Sequence, residues 1–362
     1  MSQEQAISGA EHLQLRLDDK TVEAKTEAYP QEAREHARWL AGFVRERCAR
    51  QLSVLVENVK KLGFKSDYSY WHKILTGKYF GPDPDRPGKT VGSVSNFVQI
   101  MEELRKGVRL NEQAGRPPFI ETPTWDMIND FVTMKRQPGR VNKFGGIVGP
   151  TGSQKSACFR EYQSRNNHGK VVHIEAPERP RMGQFLTDLA RAYGESATKT
   201  GEKKISAITE AVNETKCIIV DNVQRLYKDN RGGDQPIFNF LQKLQDDTGC
   251  TIIFSYTPDF TRVLSSGADR GYFEQFIGRM GGLKKVLALP DFAPAEDLLC
   301  IARAYKLKDA EKHVKYLDSM VRQPGRIRAF FEDLQDAKAE AVAAKEELTI
   351  AHLKMVRGEE DV

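Results

Sequence analysis

The chain has 362 residues, of which 40% are hydrophobic and 29% are charged, and its net charge is +5. This length predicts more than one domain, and the composition is that of an ordinary soluble globular protein. No stretch approaches the roughly 18 consecutive apolar residues that a membrane helix needs. The N-terminus lacks the basic start and apolar core of a secretory signal. We therefore expect a cytoplasmic protein that makes no membrane contact.

The five cysteines are scattered along the chain, and no two of them have a CxxC spacing. This pattern argues against a zinc site and against a disulfide framework, so we expect reduced and mostly buried thiols. The cysteines are Cys48, Cys158, Cys217, Cys250 and Cys300.

The charge is unevenly distributed. Residues 1–33 carry 3 Lys or Arg against 7 Asp or Glu, whereas residues 34–116 carry 16 against 9. A basic region suits a polyanionic partner such as a nucleic acid, although a solvated charged face explains the same balance equally well. Residues 1–31 are polar, show no sustained periodicity and contain Pro30, which predicts a flexible acidic arm.

Residues 32–110 show helical periodicity and predict an all-helical module. Ser66 and Asp67 are the candidate N-caps of its third helix, and Gly63 and Gly77 are expected to end helices. Residues 111–123, rich in Gly and Pro, predict an interdomain linker. The predicted helices span residues 32 to about 50, 52 to 62, 68 to 76 and 93 to 108.

Beyond this linker, short apolar segments alternate with helical patterns. The alternation predicts an α/β domain over residues 124–293, with a parallel sheet covered by helices on both faces. Residues 294–336 predict a helical lid, and the Ala/Glu/Lys-rich residues 337–362 predict a charged C-terminal tail. The strand candidates are FGGIV, KVVHIEA, KCIIVDN, CTIIFSY and KKVLALP.

A phosphate-binding loop is predicted at residues 149–156, GPTGSQKS, between an apolar strand and a helical pattern. The pattern of such loops is G-x-x-x-x-G-K-[ST], in which backbone N–H groups at a helix N-terminus surround the phosphates. The lysine reaches the β- and γ-phosphates, and the hydroxyl ligates Mg²⁺. Gln154 stands at the second glycine position and restricts the loop if a left-handed backbone is needed there. The predicted nucleotide-binding residues are Gly149, Pro150, Thr151, Gly152, Ser153, Gln154, Lys155, Ser156 and Ala157.

Asp221 ends the apolar strand KCIIVD and is predicted to hold Mg²⁺ together with Ser156. Its neighbour is Asn222, at the position where the catalytic glutamate of a Walker B motif is usual. An amide orients an attacking water but cannot accept its proton, so either hydrolysis is slow or another carboxylate serves. Glu175 and Glu178, at and after the second strand candidate, are the alternatives.

With these two motifs in place, residues 124–336 resemble an AAA+ ATPase, which has a P-loop NTPase fold with a helical lid. The resemblance is to the DNA-transposition branch, the transposon ATPases related to the phage Mu B target activator. It implies that ATP binds between adjacent protomers and drives assembly into a ring or helical filament on double-stranded DNA. The implied cofactors are ATP and Mg²⁺, and the implied partners are DNA, further copies of the chain and a transposase.

The same resemblance assigns roles to three later segments. FSYTPDF resembles a sensor-1 segment and implies that Thr257 lies near the γ-phosphate. EQFIGRMGG offers Arg279 as an arginine finger, with Arg270 as the alternative. PGRIRAFF resembles the start of a sensor-2 helix and implies that Arg328 contacts the nucleotide, although an ordinary surface position is the alternative for each arginine. The catalytic set that follows is Lys155, Asp221, Asn222, Thr257 and Arg279.

The N-terminal module resembles the helix-turn-helix unit of the same family, with Trp71, Ile74 and Leu75 packed inward. Its turn is about two residues longer than usual, and a helical domain for protein contacts is the alternative reading. Arg179 and Arg181 follow the second strand, in a loop that faces either DNA phosphate or solvent. The predicted DNA-contacting residues are Ser69, Tyr70, His72, Lys73, Lys78, Arg179 and Arg181.

The leading functional hypothesis is an ATP-dependent DNA-binding protein that assembles on target DNA and delivers it to a transposase. One alternative is a loader of a replicative helicase, which the basic N-terminal module disfavours. Another is a nucleotide-gated DNA-binding scaffold with little turnover, which Gln154 and Asn222 favour.

Overall fold

The computed structural model describes residues 19–48, 51–80, 92–113, 119–166, 170–178, 181–193, 200–227, 235–266, 270–323 and 326–359. The chain divides into two compact units. The first contains residues 1–117, 164–172 and 186–211, and the second contains residues 118–163, 173–185 and 212–362. Among the described residues, no helix is long and apolar enough to cross a membrane.

Helices of the first unit pack around an apolar core that includes Trp39, Trp71 and Phe97, all fully buried. Asp67 caps the fourth helix, because its Oδ1 accepts a hydrogen bond from the backbone N–H of Tyr70 at 2.7 Å. Gly77 follows this helix at φ +79°, and a Cβ there would lie 2.0 Å from the carbonyl oxygen of Lys25, so only glycine fits. The helices are α1 (Asp19–Lys25), α2 (Gln31–Arg47), α3 (Leu52–Lys61), α4 (Tyr68–Leu75) and α5 (Val94–Gln113).

The expected arm and linker differ from the structure. Val22 and Tyr29 are buried in the core of the first unit, so residues 19–31 of the predicted arm fold with this unit, and residues 1–18 lie outside the described part of the chain. The Tyr29 hydroxyl also donates to the carbonyl of Ile74 at 2.9 Å. At the linker, α5 continues to Gln113, and a new helix begins at Pro123. Residues 114–118 of the linker lie outside the described part of the chain.

The α/β prediction is confirmed: five strands form one sheet in the order β2-β3-β4-β1-β5. The pairs β1–β4, β1–β5 and β3–β4 are parallel. Strands β3 and β4 are buried along their whole length, because helices cover a parallel sheet on both faces. The strands are β1 (Phe144–Val148), β2 (Val171–Glu175), β3 (Cys217–Asp221), β4 (Thr251–Tyr256) and β5 (Leu287–Ala288).

Helices connect the strands and surround the site described below. A helix before β1, α6, begins at Pro123 with Thr122 as its N-cap, since the Thr122 hydroxyl accepts from the N–H of Trp125 at 3.3 Å. This helix lies outside the elements predicted from the sequence. The helices of this region are α6 (Pro123–Lys135), α7 (Lys155–Arg165), α8 (Met182–Ala192), α9 (Gly201–Ala211), α10 (Pro236–Thr248), α11 (Pro258–Ser266) and α12 (Arg270–Met280).

The C-terminal helices share one apolar core, which corrects the expected division into a lid and a charged tail. Leu348, Ile350 and Leu353 of the predicted tail are buried with lid residues such as Phe330. Arg357 also donates to Asp333 at 2.6 Å. The tail therefore folds with the lid. The helices are α13 (Ala295–Tyr305), α14 (Val314–Val321), α15 (Arg326–Ala344) and α16 (Ile350–Val356).

Candidate nucleotide site

The loop between β1 and α7 has the backbone of a phosphate-binding loop. Gly149 lies close to other chain atoms, because a Cβ there would be 3.0 Å from both Leu289 Cβ and Ser153 Oγ. Gly152 has φ +81°. Gln154 has φ +64°, so the position of the missing glycine is left-handed, as the loop pattern requires. A non-glycine residue in this conformation costs about 1 kcal/mol.

The Gln154 side chain contacts the first helix of the C-terminal region. Its Nε2 donates to Oδ2 of Asp297 at 2.9 Å. The other carboxylate oxygen of Asp297 accepts from the backbone N–H of Thr124 at 3.0 Å. Asp297 is fully buried, and this burial raises the pKa of its carboxyl. One side chain of α13 therefore holds both the phosphate loop and the first turn of α6.

Lys155, the first residue of α7, directs its ammonium group back into the loop. Nζ donates to the carbonyls of Gly149 at 2.6 Å and Pro150 at 2.9 Å, and to Ser153 Oγ at 3.1 Å. Burial lowers the pKa of Lys155 to about 8, with Asp221 opposing this change and Arg326 adding to it. A buried cation held by neutral oxygens is well placed to bind an anion.

Asp221, at the end of β3, accepts hydrogen bonds at both carboxylate oxygens. The Ser156 hydroxyl donates to Oδ2, and the Ser255 hydroxyl donates to Oδ1 at 2.7 Å. His173 Nε2 lies 3.6 Å from Oδ2, beyond hydrogen-bond distance, so its effect is electrostatic. Burial alone would raise the pKa of Asp221, but His173 and the two hydroxyls lower it to about 2. The group is thus a carboxylate at neutral pH.

The predicted magnesium pair is therefore assembled, since Ser156 Oγ and Asp221 Oδ2 are in direct contact. A hydroxyl and a carboxylate are hard oxygen donors of the kind that Mg²⁺ prefers, with phosphate and water oxygens completing its shell. The residues fit the ion.

The structure places Ser255, rather than Thr257, in contact with Asp221. Thr257 is half-buried just after β4, and its carbonyl accepts from the N–H of Phe260 at 3.0 Å. Asn222 adopts a left-handed conformation with φ 57°, and its backbone N–H donates to Asp221 Oδ1 at 2.9 Å. The roles assigned to Thr257 and Asn222 stay predictions.

The arginine near the phosphate loop is Arg326, and Arg328 is exposed on α15. Arg326 lines a pocket with Gly152, Gln154 and Asp297. Its guanidinium lies 4.8 Å from the ring centroid of Phe292. Its Nη1 is buried and has no hydrogen-bond partner among the described residues.

The two arginine-finger candidates differ in their surroundings. Arg279 forms a bidentate ion pair with Asp246, in which Nη2 lies 2.7 Å from Oδ2. Arg279 Nη1 also donates to Gln245 Oε1 at 3.3 Å. Arg270 is exposed at the first residue of α12.

The predicted DNA-contacting residues are not all on the surface. Ser69, Lys73, Lys78 and Arg181 are exposed, and Arg179 lies outside the described residues. His72 is half-buried and stacks on Tyr68, with ring centroids 5.9 Å apart. Tyr70 packs edge-to-face on Trp71 and Tyr79, at 4.7 and 4.8 Å, which is an inward position rather than the expected groove-facing one.

Ser255, Asp297 and Arg326 are absent from the site residues predicted from the sequence. Ser255 was detectable, because it follows the apolar residues Ile252 to Phe254 inside a predicted strand, where a buried polar side chain needs a hydrogen-bond partner. Arg326 follows a Gly at the start of a predicted helix, two residues before the predicted arginine, and no pattern distinguishes them. Asp297 lies far along the chain from the loop it contacts, so no local signal marks it.

The strand–loop–helix unit, the parallel sheet and the buried Asp221 at the end of β3 give this region the fold of a P-loop NTPase. Residues 140–264 match the family model for the AAA domain. This match covers β1, the phosphate loop and strands β2 to β4, and it supports an AAA+ ATPase. A search of curated proteins gives no match.

Solved structures with partial similarity include two of RuvB from Thermotoga maritima. One is a lysine-to-arginine mutant, with 16% sequence identity and a TM-score of 0.42. The other is the Holliday junction branch migration motor, with 16% sequence identity and a TM-score of 0.43. Each comparison covers 66% of this chain and 70% of the other. Drosophila ORC bound to DNA has 14% identity and a TM-score of 0.43, covering 80% of this chain and 72% of the other.

Proposed function

We propose that this chain is an ATP-dependent DNA-binding AAA+ protein that assembles on DNA and delivers target DNA to a transposase. The observation that carries the nucleotide part is the convergence of Lys155, Ser156 and Asp221 at the carboxyl ends of β1 and β3. A nucleotide phosphate would accept hydrogen bonds from the Lys155 ammonium in place of the loop carbonyls. The left-handed Gln154 keeps the loop curled for this contact.

Ser156 and Asp221 would hold the magnesium ion. Bound there, the ion would neutralise charge that develops on the β- and γ-phosphate oxygens. Asp221 is suited to this role because its low pKa keeps it charged. Arg326, half-buried beside the phosphate loop, would add a second cation for the phosphates.

Assembly on DNA is the second part of the proposal. A trans-acting arginine must reach a neighbouring protomer, and the exposed Arg270 is freer to do so than Arg279, which is held by Asp246. For DNA, the exposed Lys73 and Lys78 would contact backbone phosphates. Six residues separate α3 from α4, more than the turn of about 3–4 residues in a helix-turn-helix, so only the general arrangement of that motif is proposed.

Two other functions remain as alternatives. A nucleotide-gated scaffold with little turnover is favoured by Asn222 at the usual glutamate position. A helicase loader is disfavoured by the basic charge of residues 34–116. Phosphate release separates an ATPase from a scaffold, and capture of a transposase rather than a helicase separates the first function from the loader.

The nucleotide part is tested by the substitution Lys155→Ala. We expect it to abolish ATP binding, measured by titration with a fluorescent ATP analogue, because the ammonium supplies the main cation of the site. The exposed Lys203 provides a matched control, and Lys203→Ala should bind as the parent does. Parent-like binding by a folded Lys155→Ala protein would refute the phosphate-loop assignment.

A further inference from the structure

The neighbouring strands β2 and β3 bring a glutamate beside the position where a catalytic carboxylate is missing. Strand β2 ends at Glu175, and β3 ends at Asp221. The strands are adjacent in the sheet, and the N–H of Ala176 donates to the carbonyl of Asp221 at 2.8 Å. The residue that ends β2 is therefore aligned with the aspartate–asparagine pair that ends β3.

The Glu175 side chain contacts Asn222 directly. Its Oε1 accepts from Asn222 Nδ2 at 3.3 Å and from Arg225 Nη1 at 3.1 Å. Asn222 is fixed for this contact by its left-handed backbone and by the bond from its N–H to Asp221. The Glu175 side chain is 56% exposed, so water reaches the carboxylate.

Neither residue at the end of β3 can act as the base. Both oxygens of Asp221 accept hydrogen bonds from serine hydroxyls and from the N–H of Asn222. The amide of Asn222 has no proton-accepting group of useful basicity. Glu175 is a carboxylate within hydrogen-bond distance of that amide, and its other hydrogen bond comes from Arg225, whose side chain is 38% exposed.

We propose that Glu175 is the catalytic carboxylate of ATP hydrolysis and that Asn222 is the residue that positions it. The proposal rests on the ATPase function proposed above. The carboxylate at the end of β2 would thus serve in place of the glutamate that is usual after the Walker B aspartate, which explains how the site tolerates Asn222.

In the proposed hydrolysis, a proton moves from the attacking water to Glu175 and then to solvent. The oxygen of a water molecule forms a bond to the γ-phosphorus while the bond from that phosphorus to the β–γ bridging oxygen breaks. The Glu175 carboxylate accepts the proton of the water, and the electron pair of the broken bond stays on ADP. Glu175 then releases the proton to solvent, leaving ADP and inorganic phosphate.

Arg225 holds the carboxylate in the conformation seen here. Its guanidinium bridges Glu175 Oε1 and the carbonyl of Ala176, at 3.1 and 3.3 Å. The Arg225 and Glu175 side chains are 38% and 56% exposed, and ion pairs at this exposure contribute little to stability. Turning Glu175 toward a bound nucleotide therefore costs little.

The test is the isosteric substitution Glu175→Gln in the full chain, with ATP binding and phosphate release measured on the same preparation. We expect ATP affinity to be retained and phosphate release to fall by about 100-fold or more, because the lost group is a general base. Glu340, exposed on α15, gives a matched control, and Glu340→Gln should keep the parent rate. Glu178→Gln tests the competing carboxylate, and loss at that position instead would overturn the proposal.

An exchange of the two side chains tests the pairing itself. Glu175→Asn alone should lose turnover, and the double variant Glu175→Asn/Asn222→Glu should recover at least part of it, because the carboxylate returns to the same pair of strand ends. A fall in phosphate release that the exchange does not reverse, in a double variant that still binds ATP as the parent does, would contradict the proposal.

The outcomes separate this proposal from the one on which it rests. If the parent chain does not bind ATP, the proposed function fails. If the parent binds and hydrolyses ATP and Glu175→Gln does so equally well, only the role of Glu175 fails. If the parent binds ATP without hydrolysing it, with and without DNA, the role of Glu175 fails and the scaffold alternative is supported.

Discussion

Protonation of Lys155 should make ATP affinity depend on pH. Burial lowers the pKa of its ammonium to about 8 in the free protein, whereas a bound triphosphate would favour the charged form. Binding therefore takes up a proton whenever the free lysine is neutral. ATP affinity should be flat below that pKa and fall above it.

We predict that ATP affinity falls by up to about tenfold per pH unit above pH 8, as linkage to a single proton requires. Titrations with a fluorescent ATP analogue between about pH 7 and 9.5 measure this, with circular dichroism to verify the fold at each pH. Constant affinity across this range would mean that the Lys155 ammonium keeps an ordinary pKa in the free protein.

Arg326 and Arg328 provide a second comparison at the level of single residues. Arg326 is half-buried in the pocket beside the phosphate loop, whereas Arg328 is exposed. The Nη1 atom of Arg326 is buried and has no hydrogen-bond partner in the described part of the chain. We predict that Arg326→Ala weakens ATP binding by about 10- to 100-fold, the usual effect of losing one charge-assisted hydrogen bond. The loss should be smaller for ADP if Arg326 contacts the γ-phosphate.

Arg328→Ala should have the smaller effect in the same titrations. A larger loss of affinity for Arg328→Ala than for Arg326→Ala would return the sensor-2 role to the residue that the sequence pattern indicated.

Gln154 shows what a motif can and cannot predict at this scale. The loop pattern correctly identified the position as one that needs a left-handed backbone. It did not predict that a glutamine would adopt this conformation, because the compensating hydrogen bond comes from Asp297. That residue is distant in sequence, so the compensation is visible only in the folded chain.

Among the secondary-structure elements, α13 contacts the phosphate loop and the start of α6 through Asp297. This fully buried carboxylate accepts from Thr124 at the start of α6 and from Gln154 in the phosphate loop. Removing it would leave both donors without this acceptor. The cost of one buried unsatisfied group is about 1–3 kcal/mol.

We predict that Asp297→Ala lowers the free energy of unfolding by about 2–4 kcal/mol and weakens ATP binding, because the loop loses its contact with α13. Urea denaturation measures the stability. Glu296→Ala is the matched control, since Glu296 is exposed in the same helical turn and makes the same contribution to the helix dipole. Equal effects of the two substitutions would show that Asp297 contributes only through the dipole.

The strands could be predicted from sequence and several helix boundaries could not. Each of the five strand candidates contains one observed strand, because short apolar runs rich in β-branched residues, such as CIIVD, are typical of buried strands. The start at Asp19, the helix α6 and the packing of α16 on the lid were missed. Helix α1 is polar along most of its length, and the tertiary contacts of side chains such as Val22 in α1 and Leu353 in α16 are visible only in the folded chain.

At the scale of the whole molecule, DNA binding should depend on the basic N-terminal region. Residues 34–116 carry 16 Lys or Arg against 9 Asp or Glu, and Lys73 and Lys78 are exposed there. We predict that Lys73→Ala/Lys78→Ala reduces the slope of log affinity against log salt by about 0.9 for each phosphate contact removed. Fluorescence anisotropy with duplex DNA at several salt concentrations measures the slope.

The control for this pair is Lys338→Ala/Lys345→Ala, two exposed lysines of the C-terminal region. An unchanged slope for the N-terminal pair, together with a reduced slope for the C-terminal pair, would place the DNA contact on the lid instead.

The central claim is that this AAA+ fold couples ATP hydrolysis to DNA. The most direct measurement is phosphate release by the purified chain with Mg²⁺ and ATP, with and without double-stranded DNA, and with Lys155→Ala as the blank. We predict slow release that DNA increases and that the blank lacks. Release no greater than that of the blank under both conditions would contradict the claim and leave a nucleotide-gated scaffold at most.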